Sequence, residues 1–319
     1  MKCSKCGKEA IVLLRYAKLA LCKEHYVEYV ERKIMKVLKK AFNLGLPKRV
    51  LVAISGGKDS MSLLYALHSL SKSMDFTLLA LFIDLGIPNL SSVAKSVVKR
   101  VCEKLGVKLL IVDLREILKL SLPELAKKVK RDYCSVCGLV KRYIMNAAGV
   151  EANAIVATGH HLDDVVSYVV KGILFPGGSE GIKVGAILPP SEGACAKIRP
   201  LIRISEREVL LYAILKGVEY VEAECPYAPR NSVDKYIKKM LSKLEALSPG
   251  IKLGILSKHE AKYSDLKEFQ ASARTCSTCG LISSGDTCSF CKYTSIAVGK
   301  PLGYEVRKHI RERIKELIS

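Results

Sequence analysis

No stretch of about 18 or more uninterrupted apolar residues occurs in the 319-residue chain, which excludes an apolar membrane-spanning helix. The opening Met1-Lys2-Cys3-Ser4-Lys5-Cys6 carries no apolar core of the kind that marks a secretory signal. A cytoplasmic protein with no membrane partner is expected. Acidic residues are also short, with 31 Asp and Glu against 52 Lys and Arg and a formal net charge of +21. Such a deficit disfavours an ordinary enzyme of a small metabolite. It favours a polyanion, nucleic acid first, because each phosphate that meets a cation releases counterions. An acidic protein partner or a lysine-rich solvated surface would give the same balance. With 49% hydrophobic residues the chain can bury a full core, and one large domain with appendages is expected.

Twelve cysteines in a chain of this character point to metal ligation rather than disulfides. Cys3-x-x-Cys6 with Cys22-x-x-His25 offers three thiolates and an imidazole, and Cys276-x-x-Cys279 with Cys288-x-x-Cys291 offers four thiolates. Both are closed tetrahedral sets suited to structural zinc, which a short knuckle without a core needs in order to fold. The pair Cys134-x-x-Cys137 has no second pair nearby. Cys225, in Glu224-Cys225-Pro226-Tyr227, could add a third thiolate from a distant loop and leave one position open, as in an iron–sulfur cluster with an exogenous fourth ligand. A redox dithiol or a structural pair fits the same spacing. Cys102 lies among apolar residues of a helix and is expected to be buried; Cys195, in a Gly/Ala loop, carries no reading.

The apolar run Val50 to Ile54 breaks into Ser55-Gly56-Gly57-Lys58-Asp59-Ser60 and resumes with helical spacing, so strand, glycine turn and helix follow one another. Glycines admit close approach of a ligand, free N–H groups at the helix start cradle an anion, and Lys58 and the hydroxyls of Ser55 and Ser60 add donors. Phosphate is the natural guest. The spacing is not that of a Walker A loop. Further strands are expected at Thr77 to Ile83, Lys108 to Val112 and Ala154 to Thr158, with amphipathic stretches between them. The fold class is therefore α/β, a parallel sheet with helices on both faces, flanked by N- and C-terminal zinc modules. The expected divisions are a zinc finger at 1–30, a basic helical linker at 31–48, a catalytic domain at 49–270, a zinc ribbon at 271–295 and a helical tail at 296–319.

Ligands of such sheets sit at the carboxyl ends of the strands, where the glycine turn, Ile83-Asp84 and Thr158-Gly159-His160 all fall. Asp84 would lie near a nucleoside or cap a helix. Asp163 and Asp164 could bind magnesium or orient an attacking group, or serve only as an acidic helix start. Two basic amphipathic helices are expected, one from His25 to about Lys40 with Arg32, Lys33, Lys36, Lys39 and Lys40 on its polar face, the other over Asn231 to Leu247. Either could contact RNA or simply face solvent. A capping box at Ser205-Glu206-Arg207-Glu208 opens a helix that Gly217 closes.

Ser55 to Ser60 resembles the PP-loop of the ATP pyrophosphatases. Taken with both zinc modules, Cys134-Ser135-Val136-Cys137, Thr158-Gly159-His160 and Glu224-Cys225-Pro226-Tyr227, nearly the whole chain resembles the TtuA branch of the TtcA/TtuA tRNA 2-thiolation family. That resemblance implies adenylation of the C2 oxygen of a tRNA uridine by ATP with magnesium, then displacement of AMP by sulfur. A 4Fe–4S cluster held by Cys134, Cys137 and Cys225 would receive the sulfur, and the donor would be a ubiquitin-like thiocarboxylated carrier protein. ATP would lie against Ala53, Ser55, Gly56, Gly57, Lys58, Asp59, Ser60, Ile83, Lys141 and Gly159, with Asp59, Lys141 and Asp164 as the catalytic residues. Lys141 falls one helical turn beyond Cys137, so one helix would present both. Arg131 and Arg142 would meet RNA phosphates. Whether the chain forms a homodimer is open.

His161 and Val165 stand where relatives usually have Asn and Glu, and Phe175-Pro176-Gly177-Gly178 replaces a more polar turn; both bear on the substrate rather than on adenylation. The T-loop uridine is the leading target and the wobble uridine the alternative. A PP-loop amide-forming ligase, which needs no three-thiolate site, and a zinc-ribbon RNA-binding protein with a decayed loop are the readings from other classes.

Overall fold

The computed structural model describes residues 1–175, 184–229, 231–263 and 274–318. In chain order the elements are β1 (Val12–Leu14), β2 (Leu19–Leu21), α1 (Lys23–Asn43), β3 (Arg49–Ile54), α2 (Lys58–Met74), β4 (Thr77–Asp84), α3 (Ser91–Leu105), β5 (Lys108–Asp113), α4 (Leu114–Leu118), α5 (Leu122–Lys128), α6 (Tyr133–Glu151), β6 (Ile155–Thr158), α7 (Leu162–Leu174), β7 (Ile187–Leu188), β8 (Lys197–Ile198), α8 (Glu206–Lys216), α9 (Val233–Leu247), α10 (Ile251–Tyr263), β9 (Arg274–Thr275), β10 (Ile282–Ser283), α11 (Ser289–Val298) and α12 (Gly303–Ile318).

The central sheet runs β5-β4-β3-β6-β8-β7, parallel except for the antiparallel edge strand β7. All four expected strands are present within a residue or so of their expected limits. Their alternate residues feed two cores. Val50, Val52, Ile54, Ala80 and Phe82 pack beneath α1, α2, α3 and α8, and Leu51, Leu79, Leu81, Leu110 and Val112 pack beneath α5, α6, α11 and α12. Burial on both faces is why these strands read as unbroken apolar runs. The chain leaves β3 toward β4 and β5, then returns to β6 on the other side of β3. The strand order therefore reverses between β3 and β6, the place where a crevice opens at the carboxyl ends.

Helix α1 runs uninterrupted across residue 30, so the N-terminal knuckle and the basic segment after it share one rod. Tyr26, Val30, Ile34, Leu38 and Ala41 bury its inner face in the first core. The outer face is less free than its charge suggests. Lys33 donates to Tyr16 Oη at 2.7 Å and to the Arg203 carbonyl at 2.9 Å, and Arg32 pairs with Glu28. Tyr16 in turn donates to Glu208 at 2.6 Å, locking the knuckle to α8. The Ser205 capping box and the left-handed Gly217 bound α8 as expected.

At the other end, Tyr143 of α6 stacks on Phe290 of α11 with ring centroids 3.8 Å apart, and its hydroxyl donates to the Gly303 carbonyl at 2.8 Å. A side chain at Gly303 would meet Cys279 Cβ at 2.8 Å, so the ribbon and α12 close over each other only with glycine there. A third, smaller core joins α7, α9 and α10 through Val166, Ile202, Ile237, Leu241 and Leu256. Pro176, Gly177 and Gly178 lie outside the described residues. No described helix is long and apolar enough to cross a membrane.

Candidate active site and metal centres

The PP-loop fills the turn from β3 to α2. Gly56 has φ +84°, and a side chain there would meet Ala94 Cβ at 3.1 Å, so glycine is required twice over. Ser60 Oγ accepts from Ser55 N at 3.0 Å and donates to the Gly57 carbonyl at 3.0 Å, which fixes the bend and leaves the N–H groups of the first turn of α2 facing the crevice. From the other side of the reversal point, Gly159 lies against the backbone of α2; a Cβ there would stand 3.0 Å from Ser60 N. Ala53 and Ile83 are half-buried near the ends of β3 and β4.

The aspartates around the PP-loop and at the start of α7 each have a cation. Lys58 pairs with Asp59, Lys238 of α9 with Asp164, and Lys252 of α10 with Asp163. The adjacent aspartates of α7 have different fates. Asp163 is buried, pairs with the equally buried Lys252 and accepts from Glu206 N at 2.7 Å, tying α7 to the start of α8. Asp164 is partly exposed and faces the PP-loop. Of the two readings left open for Asp163, a nucleotide contact or a helix start, its inward pairing favours the structural one. Burial alone would raise both carboxyls, yet both are lowered: Lys252 outweighs it at Asp163, and His161 with Lys238 at Asp164. Asp84 is likewise structural in its contacts, accepting from Gly86 N at 3.0 Å and from Lys95 at 3.1 Å.

Helix α6 enters β6 from below, so its first turns, with Cys134, Cys137 and Lys141, stand at the carboxyl end of the sheet. Asp132 caps it, accepting from Ser135 N at 3.0 Å. The loop after α8 links the parts. Val221 N donates to the Gly56 carbonyl at 2.8 Å, Cys225 follows, and the Tyr227 carbonyl lies 3.8 Å from Cys134 Sγ with the Tyr227 ring 4.5 Å from that of Tyr133. Burial, then Asp132 and the charges of Cys137 and Cys225, raise the Cys134 thiol, while Lys141 lowers it. A thiol such as Cys134, whose ionisation its neighbours oppose, is a donor that a positively charged metal group relieves. The three sulfurs are not drawn within single-ion distance of one another. A cluster wider than one ion suits that spread.

The other two sets are closed. Cys3, Cys6, Cys22 and His25, and separately Cys276, Cys279, Cys288 and Cys291, each bring their ligand atoms within 4.8 Å of one another. Zinc–sulfur bonds of about 2.3 Å give tetrahedral S···S edges of about 3.8 Å. The Cys6–Cys22, Cys279–Cys288 and Cys276–Cys291 separations are 3.8, 3.8 and 3.9 Å. Both sets fit zinc. Cys102 is buried and its thiol is pushed up to about 12 by desolvation, and Cys195, also buried, up to about 11.

Sequence reasoning gave Lys238 only as one of several helix lysines and did not single out Lys252 or Lys197. Lys197 of β8 is half-buried beside Arg199 and Arg142, and burial pushes its ammonium down. Nothing local set them apart: Lys238 shares α9 with Lys235, Lys239 and Lys243, and Lys252 is a single lysine at the start of α10.

A PP-loop domain profile matches residues 27–241, and a profile for the N-terminal LIM domain of the 2-thiouridine synthetase TtuA matches residues 2–27. The tRNA-5-methyluridine(54) 2-sulfurtransferase of Pyrococcus horikoshii is 39% identical over 298 residues, covering 92% of this chain and 93% of its own. The chain belongs to the PP-loop tRNA 2-sulfurtransferase family. The enzyme of the same name from Thermus thermophilus is 37% identical, covering 92% of this chain and 90% of its own. Among solved structures, the U34-tRNA thiolase NcsA of Methanococcus maripaludis with its [4Fe-4S] cluster superposes with a TM-score of 0.76 at 28% identity, covering 94% of this chain and 96% of that one. As a family member, the chain combines the PP-loop with a metal-ligand set at each end.

Proposed function

We propose that the chain is an ATP-dependent tRNA-uridine 2-sulfurtransferase acting on the T-loop uridine, position 54. The observation that carries this reading is the Val221 to Tyr227 segment, which is hydrogen-bonded to the PP-loop at one end and lies against Cys134 at the other, with Cys225 between. Nucleotide and sulfur chemistry are thereby joined by one short stretch of backbone. The higher identity to relatives named for position 54 supports the T-loop over the wobble position.

ATP, arriving with magnesium on its phosphates, would set its pyrophosphate on the N–H groups of the α2 start and on Lys58, which leaves Asp59 as it does so. The uridine C2 oxygen attacks the α-phosphorus, and the bond to pyrophosphate breaks. Lys141 stabilises the charge that develops on the α-phosphate. Asp59 and Asp164 orient the reacting groups. Sulfur then adds at C2, and AMP departs with the former C2 oxygen. A 4Fe–4S cluster on Cys134, Cys137 and Cys225 would supply an open iron position for the incoming sulfur. The excess of cations, Arg131, Arg142 and Lys197 among them, would hold the RNA. We infer a thiocarboxylated ubiquitin-like carrier as sulfur source, action in the cytoplasm, and an assembly state for which a homodimer is the first case to weigh.

The test is anaerobic. Iron-reconstituted protein is incubated with ATP, magnesium, sulfide and unmodified tRNA transcript, and thionucleosides are mapped by fragment mass spectrometry. Sulfur at position 54 supports the reading, sulfur at position 34 replaces the target, and AMP release without any thionucleoside overturns it.

A further inference from the structure

His161, the residue before α7, has its side chain 3% exposed, and it lies beside Asp59 of the PP-loop, which corrects the expectation that it bears on the substrate rather than on adenylation. Three carboxylates surround the ring. Nε2 lies 3.5 Å from Asp164 Oδ2 and 3.8 Å from Asp59 Oδ2, and Nδ1 lies 3.8 Å from Asp163 Oδ2. Nδ1 is buried without a hydrogen-bond partner. The backbone is fixed as well, because His161 N donates to Asp164 Oδ2 at 3.2 Å and the Leu162 N–H donates to the Ile204 carbonyl at 2.9 Å.

The lysines opposite these carboxylates differ in freedom. Lys252 is buried with Asp163, whereas Lys58 and Lys238 are 18% and 33% exposed on flexible stems. An arriving triphosphate competes for the two exposed ammonium groups. Once they turn to phosphate, Asp59 of α2 and Asp164 of α7 keep one common neighbour that cannot follow the ligand. That neighbour is the imidazole, whose Nε2–H is a donor both in one neutral tautomer and in the charged ring.

We propose that His161 is a positioning residue for the activation step, its Nε2–H bridging Asp59 and Asp164 so that the starts of two helices hold a fixed separation while Lys58 and Lys238 engage the nucleotide. The role is to keep a geometry. Loss of the bridge would let one carboxylate move by an ångström or so, a displacement that costs on the order of a hundredfold in rate.

The inference rests on the thiolase reading only for what is scored as turnover, so it is tested in two ways. In the reconstituted holoenzyme, tRNA-dependent AMP formation is measured for the wild type, His161→Leu and His161→Gln. His161→Leu should lower kcat about a hundredfold with the KM for ATP held within about twofold, and the amide of His161→Gln should recover at least about tenfold of that loss. A kcat for His161→Leu near that of the wild type, equal impairment of the two variants, or a loss confined to KM overturns the proposal.

The second readout needs no turnover. Histidine ¹⁵N spectra of the full chain with a non-hydrolysable ATP analogue should show a slowly exchanging Nε2–H, absent in His161→Gln and shifted in both Asp59→Asn and Asp164→Asn. A ring protonated at Nδ1 alone, or a signal indifferent to either aspartate, overturns it. If the wild type forms no AMP with any tRNA, the thiolase reading fails, and the spectra still decide the role of His161. They also decide it if His161→Leu does not fold.

Discussion

The quartets of ligands at the two ends of the chain and the trio between them are built on opposite principles. In the C-terminal ribbon the four thiols are buried and drawn together, with Cys279–Cys288 at 3.8 Å and Cys276–Cys291 at 3.9 Å. Cys134, Cys137 and Cys225 are half-buried or exposed, come from a helix start and a loop, and are not gathered within single-ion distance. A closed set gives its bonds to the fold. On the proposed reading, an open set keeps one for a substrate. Asp163 and Asp164 repeat the contrast in a single helical turn, one sealed with Lys252 and the other facing the PP-loop with an exposed lysine.

The sharpest way to break this comparison is to remove one sulfur from each kind of set. Structural zinc contributes on the order of 10 kcal/mol to the folding of small knuckles, so Cys279→Ser should cost most of the ribbon's order and strip α11 and α12 from the second core. Atomic absorption should record one zinc per chain lost from the two sets, with an early melting transition. Cys225→Ser should leave the melting curve within about 0.5 kcal/mol of the wild type while abolishing thiolation. Equal thermal losses in the two variants would erase the distinction between closed and open sets.

The aspartates offer the next largest effect. Lys252→Met would leave the Asp163 carboxylate buried without its cation, at a cost of about 3–5 kcal/mol in urea unfolding. Lys238→Met, at a partly exposed pair, should cost about 1 kcal/mol or less and be seen in turnover instead. Below that stands Tyr143→Phe. It keeps the stacking on Phe290 and loses the bond to the Gly303 carbonyl, so a loss of about 1 kcal/mol is expected in the same measurement. Near-zero loss would mean that packing alone docks the C-terminal module on α6.

How much of this was legible in the sequence follows the same division. Parallel strands buried on both faces appear as apolar runs, so Val50 to Ile54 and its three neighbours could be placed without a structure. Closed metal sets announce themselves because their ligands come in tight pairs. The open site was legible only in part. Cys134, Cys137 and Lys141 share a helix, but Cys225 reaches them through the Val221 contact with Gly56, a tertiary link with no local signature. Lys238 and Lys252 meet the aspartates of α7 from 74 and 89 residues away, and nothing in their own helices marks them for it. Asp163 and Asp164 look identical in sequence, and only the packing of α10 separates their roles.

The smallest effect expected is a pH dependence that tests that separation directly. The Asp163 carboxyl is lowered in the folded protein, so its pair adds stability above the unfolded carboxyl pKa of about 3.9 and surrenders it as pH falls through the depressed folded value. Asp163→Asn removes the titrating group and leaves Lys252 charged throughout. The stability advantage of the wild type over this variant, read from urea midpoints, should therefore be constant from neutral pH to about 5 and shrink below about 4. Asp164→Asn should give a curve of the same sign and lower amplitude, because its carboxylate and Lys238 are screened by solvent. An advantage that instead grew on acidification would require Asp163 to be protonated in the native state, and its pairing with Lys252 would then be wrong.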